Sequence, residues 1–374
     1  MQNQFNNPFS QLILHRFPKN QTLQAWSSAD TYLLDYCKDI KHKLLNKNIM
    51  VFNDSFGAIG LALSDFEPTI VTDSFLSTQA IIRNCQLNKI DSSKVELLNS
   101  LSNFNKTYDY VFIRLPKTLD FLRYFLAKIR PFLHDDSQLV IAAMVKSLPT
   151  TTWKLVEEIL GETNTSLAKK KARLIFVKPQ KYKDHTNFPT QFIQENTKNI
   201  IYNHANVFSK QSLDIGTRYL LQNLPAFENI QNIIDLGCGN GIVGLNLAHK
   251  YPGAKVIFTD ESYMAVASAK LTVTKNTDSI HQHQFIVNNC LDGFEASSVD
   301  LIVCNPPFHQ SHSIGLHIAL QMFQQSYKTL KTQGRFIVIA NRHLPYYSHL
   351  KRIFGRVYNL ASNNKFSIYS MQKN

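Results

Sequence analysis

From Gln231 onward the chain alternates between two hydrophobic rhythms. Short continuous apolar runs predict buried strands at 231–236, 254–259, 284–287, 299–304 and 335–340. Between them, apolar residues at helical spacing predict helices over 242–249, 262–275 and 317–330. Tyr251-Pro252-Gly253 ends the first of these helices. Strands alternating with helices imply an α/β fold: a parallel, doubly wound sheet with right-handed crossovers.

The first half follows the same plan. A strand over 49–52 leads into Asp54-Ser55-Phe56-Gly57-Ala58-Ile59-Gly60-Leu61, which matches the Gly241-Ile242-Val243-Gly244-Leu245 region. A strand over 69–72 ends at Asp73, much as 256–259 ends at Asp260. The run 108–113 precedes Arg114-Leu115-Pro116-Lys117, as 299–304 precedes Asn305-Pro306-Pro307-Phe308. Residues 155–161 and 167–176 echo 350–355 and 360–369, and the offset drifts only from about 184 to 193 residues. This is a domain duplication, with domains expected at 1–180 and 181–374. The polar stretch 178–206, with Lys178, Lys181 and Lys183, reads as a linker, and Phe192–Asn203 as a hairpin opening the second domain.

The copies differ where chemistry would sit. Val51 stands opposite Asp235, Asn53 opposite Gly237 and Ser55 opposite Gly239. The first copy keeps the architecture and loses the small and polar residues, as a fold retained for packing or binding would.

Asp235-Leu236-Gly237-Cys238-Gly239-Asn240-Gly241 falls at a strand-to-helix turn, where glycines allow positive φ and close approach of backbone to a ligand. Asp260 ends the next strand, where a carboxylate accepts from both hydroxyls of a ribose. Asn289 ends the third strand, at the height of an adenine edge. Asp235 suits a ligand with a positive amino group. An adenosine with an amino-acid tail fits this set better than a dinucleotide, whose G-x-G-x-x-G spacing is absent.

Asn305-Pro306-Pro307-Phe308 ends the fourth strand. The Asn305 side-chain oxygen and the Pro306 carbonyl can both accept from one amino group. Pro306 and Pro307 remove competing backbone donors and stiffen the loop, and Phe308 offers a flat face to a planar base.

These two motifs resemble those of the class I S-adenosylmethionine-dependent amino methyltransferases. The Pro-Pro-Phe-His form, the duplicated and degenerate first half, and the stretches Asn203–Ser209, Asp260-Glu261-Ser262 and Ala340–Leu344 resemble the bacterial ribosomal RNA guanine-N2 methyltransferases, large-subunit branch. His15-Arg16-Phe17-Pro18 and Leu23-Gln24-Ala25-Trp26 add to the resemblance, which spans the chain.

The resemblance implies two tandem Rossmann-like methyltransferase domains and methylation of the exocyclic N2 of one guanosine in 23S ribosomal RNA. It implies that Gly237, Cys238, Gly239 and Gly241 shape the methionine side of the cofactor site. Asp260 then holds the ribose and Asn289 or its neighbour the adenine, while Asn305 and Pro306 accept from the guanine amino group and Phe308 stacks. Phe208 and Asp214 fall in the segment that approaches the cofactor in this family.

Charge supports a polyanionic partner. The formal net charge is +13. It is spread evenly, with 24 Lys/Arg against 17 Asp/Glu in residues 1–185 and 16 against 10 in 186–374. Lys169, Lys170, Lys171 and Arg173 are the first-domain candidates for RNA contact. Five scattered cysteines (37, 85, 238, 290, 304) read as reduced thiols. With no signal-like start and no membrane-length apolar run, a soluble cytoplasmic protein is expected. His281, His283, His309, His312 and His317 lack partners at ligand spacing, so no metal is expected.

Rival readings are a 16S ribosomal RNA enzyme, a DNA-adenine or protein-glutamine methyltransferase, a non-enzymatic ribosomal RNA-binding assembly factor, and an NAD-dependent oxidoreductase. The sequence gives no sign of an obligate protein partner.

Overall fold

The computed structural model describes residues 3–18, 23–180, 187–208, 212–307 and 312–374. The chain divides into two compact units, Met1–Phe188 and Pro189–Asn374. Each is built on one seven-stranded sheet. In the first unit the strands are β1 (Ile49–Phe52), β2 (Thr69–Thr72), β3 (Glu96–Asn99), β4 (Tyr108–Arg114), β5 (Leu133–Met144), β6 (Thr163–Thr165) and β7 (Ala172–Val177). Their spatial order is β3-β2-β1-β4-β5-β7-β6. In the second they are β8 (Asn232–Leu236), β9 (Lys255–Asp260), β10 (Gln284–Val287), β11 (Val299–Cys304), β12 (Leu330–Asn341), β13 (Tyr358–Ser362) and β14 (Phe366–Gln372), ordered β10-β9-β8-β11-β12-β14-β13. The two orders match strand for strand. In each sheet one strand is reversed: β7 and β14 run antiparallel to the strand on either side of them.

The central strands read as continuous apolar runs because helices cover both faces. Two separate apolar clusters, one around Phe258 and Leu245 and one around Phe323 and Phe336, flank the second sheet. The last expected helix differs from the sequence reading. It spans His312–Thr329 and stops because Leu330 pairs with Val299 and opens β12.

Register makes the duplication quantitative. Val51 pairs with Ile70 and Phe112, while Asp235 pairs with Phe258 and Val303. Arg114 therefore occupies the place of Asn305. The same register corrects the equivalence of Asp73 with Asp260: Thr72 matches Asp260 and Asp73 matches Glu261. Helix caps agree, since Ser74 caps α2 (Phe75–Leu87) and Ser262 caps α5 (Tyr263–Asn276).

The copying extends to a two-stranded hairpin ahead of each sheet, Gln4–Asn6 with Gln11–Ile13 and Thr190–Ile193 with Ile200–Asn203. The second was expected from sequence; the first was not. Each hairpin lays its free edge along a helix. Ile200 N donates to Asn276 Oδ1 (2.9 Å), Tyr202 N to Thr272 Oγ1 (3.0 Å) and His204 N to Ser268 Oγ (2.9 Å). Two residues of strand rise about 6.7 Å and four of helix about 6 Å, so the ladder stays in step. In the first unit Ile13 N and His15 N donate to Asn88 Oδ1 and Asn84 Oδ1 at 2.7 and 2.9 Å.

The two glycine turns are closed by different side chains. The carboxylate of Asp54 accepts from the backbone N–H groups of Gly57, Ala58, Ile59 and Gly60 at 2.9–3.1 Å. In the second unit the equivalent Gly241, Ile242 and Gly244 N–H groups donate to Cys238 O, Asn240 Oδ1 and Asp235 Oδ2. Arg114 Nε meets Asp30 at 2.6 Å, and its two Nη atoms donate to Ala142 O and Ser27 Oγ. No helix among the described residues is long and apolar enough to cross a membrane.

Candidate active site

Register assembles the site. Leu236 pairs with Thr259 on one side and Cys304 on the other. The next residue of each strand, Gly237, Asp260 and Asn305, is therefore level across three neighbouring strands, each about 4.8 Å from the next. This is the carboxyl edge of the sheet, where ligands bind in such folds.

The glycine loop joins β8 to α4 (Ile242–Lys250). Gly237 N and Cys238 N both donate to Thr259 O, at 2.8 and 3.0 Å, and Gly239 N donates to Asp260 Oδ2 at 3.0 Å. Gly239 has φ +53°, and a Cβ built on it meets nothing within 4 Å, so backbone conformation rather than crowding selects glycine there. Gly241 has φ +79°, and a Cβ would stand 2.8 Å from Ala269. Gly244 lies one turn on, where a Cβ would enter the Phe258 ring; Gly60 meets Ile70 in the same way in the first unit.

Asp235 is 2% exposed, and its Oδ2 accepts from Gly244 N at 2.8 Å. Burial pushes its pKa up to about 8, and the neighbouring Asp260 charge adds to the rise. Its position behind the loop ties it to the start of α4. Asp260 is raised by burial as well, against the pull of the N–H groups of Ser262 and Gly239. Burial beside these two carboxylates drives the Cys238 thiol far up, which removes it as a nucleophile. Asn289 is buried, and its amide donates to Asp292 Oδ2 at 2.7 Å.

Asn305 is the most informative side chain. Its Nδ2 donates to Thr217 Oγ1 at 2.9 Å. The Thr217 hydroxyl donates in turn to Asp214 Oδ2 at 3.3 Å, and Thr217 N donates to the same oxygen at 2.9 Å. Asp214 caps α3 (Ile215–Gln222). Since the hydroxyl proton is committed to a carboxylate, Thr217 can only accept from Asn305, which fixes which end of the amide faces it. Asn305 Oδ1 is left buried and without a partner among the described residues. A buried acceptor without a donor costs roughly 1–3 kcal/mol, a cost an incoming amino group removes.

The first unit repeats this contact with other chemistry. Asp30 sits three residues after the cap Ser27 of α1 (Ser28–Asp39), as Thr217 sits three after Asp214. It holds Arg114 at the position of Asn305. Sequence reasoning missed Thr217, which lies 88 residues from Asn305 in no recognisable motif. It also missed the buried Asn203–Asn240 bond of 2.9 Å that ties the hairpin to the glycine loop.

Pro306 and Pro307 follow in the described chain, whereas Phe308 and His309 lie outside the described residues. Phe208 is 65% exposed. Among the described residues no group of three His, Cys, Asp or Glu could hold a metal ion.

Comparison with known proteins agrees with this architecture. Residues 2–181 match the RLMG N-terminal domain family and residues 198–370 the methyltransferase small domain family. The chain is 44% identical over 367 residues to ribosomal RNA large subunit methyltransferase G of Pseudoalteromonas translucida, covering 96% of each chain. It is 44% identical over 371 residues to the protein of that name from Pseudoalteromonas atlantica, again over 96% of each. Among solved structures, a T. thermophilus 16S rRNA N2 guanosine methyltransferase in complex with AdoMet and guanosine superposes with a TM-score of 0.74 at 18% identity, over 99% of this chain and 97% of that one.

Proposed function

The chain belongs to the family of ribosomal RNA large subunit methyltransferase G, and from that premise we infer that it is an S-adenosylmethionine-dependent methyltransferase of 23S ribosomal RNA. We propose that the acceptor is the exocyclic N2 of one guanosine. The reading carries a cytoplasmic location with it, since that is where ribosomal RNA is modified.

The residues present suit the cofactor. The bare backbone of Gly239 and the level carboxylate of Asp260 form a cradle for an adenosine with an amino-acid tail. In this reading Gly237, Cys238, Gly239 and Gly241 border the methionine end, with Asp235 bracing the loop from behind. Asp260 accepts from the ribose hydroxyls, and Asn289 borders the adenine. S-adenosylmethionine, when bound, supplies an electrophilic methyl on a sulfonium.

This chain's own groups act on the base. The guanine amino lone pair is delocalised into the ring and is a poor nucleophile. Asn305 Oδ1 and the Pro306 carbonyl accept its two N–H groups and hold nitrogen in one orientation. Pro306 and Pro307 contribute no competing N–H. Phe308 stacks on the base. No strong base is required, because the proton leaves to water after transfer. Orientation supplies most of the acceleration, and a base stacked in RNA is first extruded at a cost of a few kcal/mol. The observation that carries the reading is the fixed amide of Asn305, with its buried oxygen unfilled among the described residues.

The test is methyl transfer from labelled S-adenosylmethionine to protein-free 23S and 16S RNA, assembled subunits, DNA and total protein from cells lacking the gene. Label in 23S RNA that digests to N2-methylguanosine is expected. Label confined to 16S RNA moves the acceptor to the small subunit, and label in no pool, with cofactor still bound, leaves an assembly factor. Asn305→Ala should keep cofactor affinity and lose transfer.

A further inference from the structure

The charge of the second unit is divided along the chain. Residues 186–300 hold 7 Lys/Arg and 10 Asp/Glu, whereas residues 301–374 hold 9 Lys/Arg and no Asp or Glu at all. A mixed, solvated surface intersperses both signs; 74 residues without one carboxylate do not.

The fold sorts these cations by position. Some serve the structure. Lys331 pairs with Asp300 at 2.8 Å, and Lys373 donates to the carbonyls of Lys328 and Leu330. Arg342 and Lys365 do not. Arg342 follows the end of β12 and Lys365 precedes β14, and Arg342 N donates to Lys365 O at 3.0 Å. Both side chains are exposed, and neither has a carboxylate partner among the described residues. Arg342 Nη1 makes one 3.3 Å contact to Asn363 O, and Lys365 Nζ lies over the Phe366 ring.

Register locates this pair relative to the site. Cys304 pairs with Val338, so Asn305 is level with Ile339 and Arg342 stands three residues further along the same sheet edge. Three residues of strand are about 10 Å. The amino edge of a guanine and the phosphates of its own nucleotide are separated on that scale, so a base drawn to Asn305 brings its own flanking phosphates to this rim.

We propose that Arg342 and Lys365 form a phosphate clamp for the RNA strand on either side of the target nucleotide. The clamp rests on the reading of Asn305 as the acceptor site. Two cations held against each other through a backbone hydrogen bond, at a fixed height above the site, would orient the strand without reading its sequence.

The experiment measures binding of the full chain to protein-free 23S RNA between about 50 and 200 mM salt, where each neutralised phosphate contributes roughly 0.7–0.9 to the slope of log affinity against log salt. Arg342→Gln and Lys365→Gln should each lower the slope by about that amount, and together by about twice it, with a matching rise in KM for RNA. Affinity for S-adenosylmethionine reports that each variant is folded. Steep wild-type binding with unchanged slopes in both variants overturns the clamp and leaves the functional reading standing. A wild-type chain that binds no ribosomal RNA at any salt overturns both.

Discussion

Asn305 has a primary amide whose oxygen the proposed function offers to the base, and an amide can turn over. Thr217 is what prevents the turn. Its hydroxyl proton is held by Asp214, so only the Asn305 NH2 end can face it. Thr217→Val removes the acceptor while keeping the shape. It should lower kcat about 10- to 100-fold, the scale on which small errors of orientation act. Affinity for S-adenosylmethionine should be unchanged, and Thr217→Ser should recover most of the rate. A valine variant with wild-type kcat would show that Asn305 needs no such support. The roles at this scale were unevenly legible. Asn305 stood out because two prolines follow it. Thr217 did not, because its role depends on a partner 88 residues away. Asp235 was legible as a functional carboxylate, but its bond to Gly244 N, which puts it behind the loop, follows only from folding.

At the scale of elements, the inner strands were legible because they are buried on both faces. β1, β2 and β11 fall at the residues their apolar runs predict, and so does the half-buried edge strand β10. The hairpin of the first unit escaped, since two three-residue strands carry too little alternation to register. The helix ladder escaped as well. Ser268, Thr272 and Asn276 are spaced four apart on a helix whose alanines dominate the reading, and their partners at 200, 202 and 204 are spaced two apart on another element. The ladder satisfies strand-edge N–H groups that no sheet neighbour reaches. Thr272→Val leaves Tyr202 N without its acceptor, at a cost of about 1–2 kcal/mol. A lower denaturant midpoint with unchanged m-value is the expected result, and Thr272→Ser should restore it. An unshifted midpoint would mean that water replaces the hydroxyl at no cost.

At the scale of the whole molecule, the sequence showed that the chain was duplicated and that the first copy had changed. Register was needed to say how. The strand ends in the sequence set Asp73 against Asp260, since each follows an apolar run. The pairing instead sets Thr72 there, and Thr72 Oγ1 accepts from Ser74 N (3.2 Å) as Asp260 Oδ1 accepts from Ser262 N (3.0 Å). The first unit thus keeps the turn and lacks the carboxylate that the proposed function assigns to the ribose. Its counterpart of Asn305 is an arginine locked to Asp30. Two separate losses, of the Asp260 carboxylate and of the Asn305 amide, fall on the two side chains that the proposed function uses for cofactor and base. Calorimetric titration with S-adenosylmethionine should therefore give one site per chain, although the fold is present twice. Asp260→Ala should abolish that site rather than expose a second. Two sites in the wild-type chain, or one surviving in the Asp260 variant, would mean that Arg114 yields to ligand and that the first unit binds cofactor after all.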